Sequence, residues 1–66
     1  MTELIELPTV PFGRIKTFGP DGTMYEVGRA LRQLDDGDWM IGITLVESGE
    51  TTEYRLKNLL DDPYAR

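Results

Sequence analysis

The sequence predicts a small all-β domain: an antiparallel meander of about four strands, curled toward an SH3-like open barrel, with a short C-terminal helical turn. The main observation is that residues 39–56 read as two alternating strands joined by Ser48-Gly49. Apolar and β-branched segments separated by turn-forming residues precede them. Because a hairpin alone is marginally stable in water, those earlier segments must complete the sheet.

The hairpin of residues 39–56 is the best-defined element. The residues that alternate onto one face of its two strands are Trp39, Ile41, Ile43, Leu45, Thr52, Tyr54 and Leu56. With Ser48-Gly49 as a two-residue loop, Ile43 would face Tyr54. A slip of one residue would move the whole apolar set to the opposite face, so an even loop length is favoured.

Two further strands are predicted before the hairpin. Residues 13–18, GRIKTF, form the first, and the turn formers GPDG at 19–22 end it. Residues 24–33 fit both a strand face and the apolar spacing of a helix. Their aromatic and β-branched start favours a strand, in which Gly28 would host a bulge.

The two ends of the chain differ from this pattern. Residues 1–12 contain Pro8 and Pro11, which remove backbone donors, so we expect a flexible or edge-lying N-terminal arm before a single β domain at 13–66. After the hairpin, Leu56, Leu59 and Leu60 have helical spacing until Pro63. This spacing predicts a short helical turn that caps one end of the sheet.

The composition excludes several functions. The 66 residues include no Cys and no His, which removes disulfides, thiolate metal sites and the commonest general base. The net charge of −5 argues against binding a nucleic-acid backbone and is compatible with a basic protein partner. No signal-peptide pattern opens the chain, and no apolar stretch approaches the roughly 20 residues of a membrane span. We therefore expect a cytoplasmic protein without a cofactor.

The segment DDGDW, residues 35–39, raises three alternatives. A calcium loop beginning at Asp36 would place Met40 where an oxygen ligand is needed, so that pattern fails. Asp suits early turn positions and Gly tolerates positive φ, so a turn is favoured over a weak cation or partner contact. Catalysis by Asp36 and Asp38 is the least favoured alternative, and we assign no catalytic, cofactor or metal residue.

Trp39 continues the apolar face of its strand and is predicted to belong to the core, although SH3-type barrels often expose an aromatic there for peptide docking. The opposite face of the hairpin carries Met40 and Val46, apolar surface that a partner or a second copy could cover. A homodimer and a heterologous protein partner are therefore both open. The candidate contact residues are Trp39, Met40, Val46, Asp36 and Asp38.

A mildly basic first half supports a second functional hypothesis. If the first two strands pair, a small positive patch would form from Arg14, Lys16, Arg29 and Arg32. Such a patch would suit a nucleic-acid-associated regulator with a small β-barrel, although the net charge opposes it.

The ordered motifs GRIKTFGP, YEVG, LDDGDW, VESGE and YRL resemble a family of short bacterial proteins of unknown function, over residues 13–63. The resemblance implies a bacterial source and a small accessory protein, and it carries no catalytic residues. We predict a non-enzymatic protein-interaction or accessory module. The alternatives are the nucleic-acid-associated regulator and an acidic, antitoxin-like component of a small operon.

Overall fold

The computed structural model describes residues 7–65. Its strands are β1 (Ile15–Thr17), β2 (Met24–Gln33), β3 (Trp39–Leu45) and β4 (Thr51–Arg55), followed by one helix, α1 (Leu56–Asp61). The four strands form one antiparallel sheet in the order β1-β2-β3-β4. The predicted meander with a short C-terminal helix is confirmed, and the unclosed sheet is consistent with an SH3-like open barrel.

The first strand is shorter than the predicted 13–18, since β1 has three residues. The turn predicted at GPDG does follow it: the Phe18 amide donates to the Thr23 carbonyl at 3.2 Å, and Gly19 has a φ of +78°. Only residues 7–12 of the proposed arm are described, and they contain no helix or strand. Within them, Val10 packs against the core.

Residues 24–33 form a strand, as preferred over a helix. The register with β3 moves from Val27 opposite Ile43 to Ala30 opposite Ile41, so an extra residue bulges beside Gly28. A Cβ on Gly28 would lie 2.5 Å from the Gly42 carbonyl oxygen. Glycine is therefore required by this close backbone approach, and the predicted bulge is confirmed.

The predicted two-residue hairpin loop is wrong. Ile43 lies opposite Thr52 rather than Tyr54, and the Leu45 amide donates to the Glu50 carbonyl at 2.7 Å. The loop therefore spans residues 46–49. The error is two residues, which leaves every side chain on its predicted face, so apolar alternation could not detect it.

The core lies between the inner face of the sheet and α1. Its buried apolar side chains are Tyr25, Val27, Ile41, Ile43, Leu56 and Leu59. Trp39 is partly buried and packs against this cluster, which supports its predicted place in the core. No helix between residues 7 and 65 has the length and apolar character that crossing a membrane requires.

The chain returns to the first strand after α1. The Thr17 amide donates to the Pro63 carbonyl at 3.0 Å, and the Ala65 amide donates to the Ile15 carbonyl at 2.9 Å. Residues 63–65 thus run antiparallel to β1 and cover its outer edge. At the opposite side of the sheet, β4 has no strand neighbour other than β3 within residues 7–65.

Candidate interaction surface

The segment DDGDW forms the turn between β2 and β3. Gly37 has a φ of +91°, and the Asp38 amide donates to Asp36 Oδ1 at 3.0 Å, which is the side-chain contact typical of an Asp-initiated turn. Arg55 Nη1 donates to Asp36 Oδ2 at 2.7 Å. This hydrogen bond, with weaker help from the Asp38 amide, lowers the pKa of Asp36 below its ordinary value.

Asp38 connects this turn to β3 and to α1. Its Oδ1 accepts from the Trp39 amide at 2.8 Å and from the Lys57 amide, in the first turn of α1, at 3.3 Å. Its Oδ2 lies 3.5 Å from Arg55 Nη1, within ion-pair distance but without a hydrogen bond. Since Asp36 and Asp38 are engaged by the protein itself, their arrangement is that of a structural turn. Within residues 7–65, no group of Asp and Glu is placed to hold a metal ion.

Sequence reasoning missed the role of Asp62, to which it assigned no contact. The hydroxyls of Tyr25 and Tyr54 donate to Asp62 Oδ2 at 2.8 and 2.9 Å, and the Gly19 amide lies 3.3 Å from Oδ1. Burial, reinforced by these hydrogen bonds, raises the pKa of Tyr25 and raises that of Tyr54 to about 12. The available signal was that a buried tyrosine hydroxyl needs a partner.

The four basic residues of the first half do not form the predicted positive patch. Lys16 lies opposite Tyr25 on the inner face and is buried, with Nζ 2.5 Å from the Leu59 carbonyl oxygen. It also lies over the ring of Tyr64, with Nζ 4.7 Å from the centroid. The prediction failed because a lysine in a short strand was assumed to point to solvent.

The three arginines of the first half each contact a different partner. Arg14 lies over the Tyr64 ring and Arg29 over the Phe12 ring, at 4.6 and 5.6 Å from the centroids. Arg32 forms an ion pair with Glu53 at 2.6 Å on the outer face of the sheet. With Lys16 inside, the remaining charges do not make the continuous basic stripe on which a nucleic-acid backbone would lie.

The candidate contact residues fall into two groups at opposite ends of β3. Asp36, Asp38, Trp39 and Met40 lie together at the start of β3. Val46 follows the other end of β3, roughly 20 Å away at the usual rise of a strand. The structure therefore does not bring all five candidates into one surface.

The end of the sheet that contains Val46 has its own character. The Val46 amide donates to the Met24 carbonyl at 3.1 Å, and each side chain is 46% exposed. Strands β1 and β3 run in the same direction, so the turns that follow them, residues 18–23 and 46–49, lie at the same end of the sheet. These turns place three exposed acidic residues at the same end of the sheet as the apolar pair: Asp21, Glu47 and Glu50. We call Met24, Val46 and these three carboxylates the acidic end.

The carboxylates of the acidic end form no ion pair within the described part of the chain. Among residues 7–65, the ion pairs join Arg32 to Glu53 and Arg55 to Asp36 and Asp38. None involves Asp21, Glu47 or Glu50 within that part of the chain, and the same is true of Glu26, Asp35 and Asp61. These carboxylates thus remain available to a cation from outside the described domain.

The fold and surface define a small antiparallel β protein whose inner face is closed by a C-terminal helix. Within that class, the chain belongs to the Family of unknown function (DUF5397), whose sequence model it matches over residues 3–66. It is 50% identical over 56 residues to an uncharacterized protein of Haemophilus influenzae (strain Rd). The aligned segment covers 85% of this chain and 89% of that protein. These similarities confirm the resemblance to a bacterial family of unknown function.

Proposed function

We propose that this protein is a non-enzymatic interaction module that binds a basic protein partner through its acidic end. The observation that carries the proposal is the Met24–Val46 pair. Both residues are exposed, and they lie at the same end of the sheet as carboxylates that have no ion-pair partner among residues 7–65. An apolar centre with a charged rim is the usual anatomy of a protein-binding patch.

Charge complementarity selects the kind of partner. The chain has a net charge of −5, and Asp21, Glu47 and Glu50 add a local negative field at one end of the sheet. Such a field attracts a basic surface during the diffusional encounter and orients it, while the apolar pair adds buried area after contact. Association would therefore be faster at low ionic strength than at high ionic strength.

A non-catalytic role is supported by how the described carboxylates are used. Asp36 and Asp38 hold Arg55 and the start of α1, and Asp62 accepts from two tyrosines. Because these groups are fixed by internal contacts, they are poorly placed to exchange protons with a substrate. The chain also contains no Cys or His that could serve as a nucleophile or neutral base.

Site-specific photo-crosslinking in the source cells tests the proposal. A photoreactive residue at Val46 is expected to trap a basic protein, whereas the same residue at Asp35, in the turn at the opposite end of the sheet, should not. Binding of the purified partner should then be weaker in the double variant Glu47→Lys, Glu50→Lys. It should also weaken when salt is added. Equal crosslinking at both positions, or capture of an acidic partner insensitive to these changes, would contradict it.

A further inference from the structure

The two edges of the sheet are treated differently. The outer edge of β1 is hydrogen-bonded to residues 63–65, but β4 has β3 on one side and no other strand on its second side within residues 7–65. An uncovered edge presents unpaired backbone groups that can pair with another strand. The edge of β4 is therefore a second candidate interaction surface, separate from the acidic end.

The ladder shows which backbone groups lie on that edge. The Leu45 amide donates to the Glu50 carbonyl, whereas the Val46 amide turns the other way and donates to Met24. Since antiparallel pairs alternate along a ladder, Thr52 and Tyr54 direct their amides and carbonyls toward β3. Thr51 and Glu53 direct both groups outward. Arg55 directs only its amide outward, because it is the N-cap of α1 and its carbonyl accepts the first hydrogen bond of that helix.

This edge lacks two of the features that prevent strand pairing, a proline and a bulge. Strand β4 reads TTEYR, without proline, and its pairing with β3 runs without a bulge. Glu53 and Arg55 point to the outer face with opposite charges, two positions apart. Their ion pairs with Arg32 and Asp36 are exposed and therefore weak. Arg55 also lies 3.5 Å from Asp38, so a cross-strand partner would compete with these contacts.

We propose that β4 pairs antiparallel with β4 of a second copy of this chain, about a two-fold axis at Tyr54. In this register Glu53 of each copy lies opposite Arg55 of the other, so the outward amide of Arg55 meets the outward carbonyl of Glu53. Shifting the axis to Glu53 would place the two glutamates opposite each other, which is destabilising. The charge pattern is self-complementary in the first register, and this argues for a second copy as the occupant.

The resulting dimer has a continuous sheet across both copies. In each of the two Glu53–Arg55 pairs the Arg55 amide donates to the Glu53 carbonyl, and the two side chains add one cross-strand ion pair. The two Tyr54 side chains meet at the axis on the inner face, where each already packs partly against its own core. This dimer leaves Met24 and Val46 at the acidic end, and it does not depend on the proposed function.

Sedimentation velocity over a range of protein concentrations tests the dimer, with folding of each variant checked by circular dichroism. The wild-type chain should show a concentration-dependent dimer. Glu53→Lys and Arg55→Glu should each be monomeric, because each homodimer opposes like charges twice. An equimolar mixture of the two variants should dimerise, because the mixed pair restores an opposite charge at both positions. Val46→Lys, the control at the acidic end, should dimerise as the wild type does.

Cysteine crosslinking supplies an independent test if a charge variant fails to fold, since the chain has no native Cys. Mixing Glu53→Cys with Arg55→Cys should give the mixed disulfide on oxidation, and Met24→Cys should give none. A disulfide between two Glu53→Cys chains would contradict the register. A wild-type chain that is monomeric at every concentration, or charge variants that dimerise like the wild type, would overturn the proposal.

Discussion

The hydroxyl of Tyr25 donates to Asp62 Oδ2 at 2.8 Å, which joins residues 37 positions apart in the chain. Tyr25 is fully buried in β2, whereas Asp62 follows the last turn of α1. The same oxygen accepts from Tyr54 in β4. One carboxylate therefore connects two strands to the end of the helix, and its removal should lower the stability of the whole domain.

We expect Asp62→Ala to lower the free energy of unfolding by about 2–4 kcal/mol, because it leaves a buried and a half-buried hydroxyl without an acceptor. Its neighbour Asp61 is exposed and provides a matched control. Asp61→Ala should change stability by about 0.5 kcal/mol or less. Urea denaturation of both variants measures the difference, and equal stabilities would show that the hydrogen bonds to Asp62 contribute little.

The domain should lose stability in alkali. Burial raises the pKa of Tyr54 to about 12 and raises that of Tyr25 further, whereas tyrosines in the unfolded chain titrate near their ordinary pKa of about 10. Above that ordinary pKa the unfolded state loses protons first, so stability is fully present below about pH 10 and falls as pH rises toward and past about 12. Denaturation midpoints from pH 8 to about pH 12 measure this, with Tyr54→Phe expected to reduce the slope. A flat profile would contradict the assignment.

Gly28→Ala should destabilise the domain by about 1–3 kcal/mol, because its Cβ would collide with the Gly42 carbonyl oxygen and force a backbone shift. Gly42→Ala is the matched control from the same pair of strands. A Cβ there would meet a Leu31 methyl at 3.6 Å, an ordinary contact, so the effect should be smaller. Thermal unfolding of the two variants gives the comparison, and the reverse order would show that the bulge is misassigned.

Trp39→Ala should lower the free energy of unfolding by about 3–5 kcal/mol, since the side chain packs against the core. A loss of that size is comparable with the whole free energy of unfolding of a small domain. Trp39→Phe retains an aromatic ring at the site and should cost less. Melting temperature and the amide NMR spectrum check both variants, and an unchanged melting temperature for Trp39→Ala would favour the peptide-docking alternative.

Calcium or magnesium at millimolar concentration should cause no saturable amide shifts in residues 35–39. The carboxylates of Asp36 and Asp38 already accept from Arg55 and from backbone amides, so a cation would have to displace those contacts. Asp36→Asn with Asp38→Asn should leave the titration unchanged. Saturable shifts that vanish in this double variant would establish a cation site in the turn.

Features with a two-residue period were predictable from the sequence, and features set by geometry between distant segments were not. Alternation placed Ile41 and Ile43 correctly inside, but it could not distinguish a two-residue loop from the observed four-residue loop at 46–49. The bulge at Gly28 was predictable because glycine within a strand marks such a site.

The contacts of Lys16 and Asp62 were not predictable. Each depends on a partner more than 35 positions away, Leu59 for the lysine and Tyr25 for the aspartate. Local patterns placed Lys16 on an exposed positive patch and gave Asp62 no buried contact, because charged residues are rarely buried. The structure pairs Lys16 with the carbonyl end of a helix and Asp62 with phenol hydroxyls, partners that no local window of sequence contains.

The return of residues 63–65 to β1 has a consequence for biosynthesis. The first strand leaves the ribosome well before the segment that covers its edge, and α1, which closes the core, is made nearly as late. Long-range contacts of this kind cannot form until both partners exist, so the domain should acquire its native structure only after residue 65 has been made. A chain released before α1 has been made would leave the inner apolar face of the sheet uncovered.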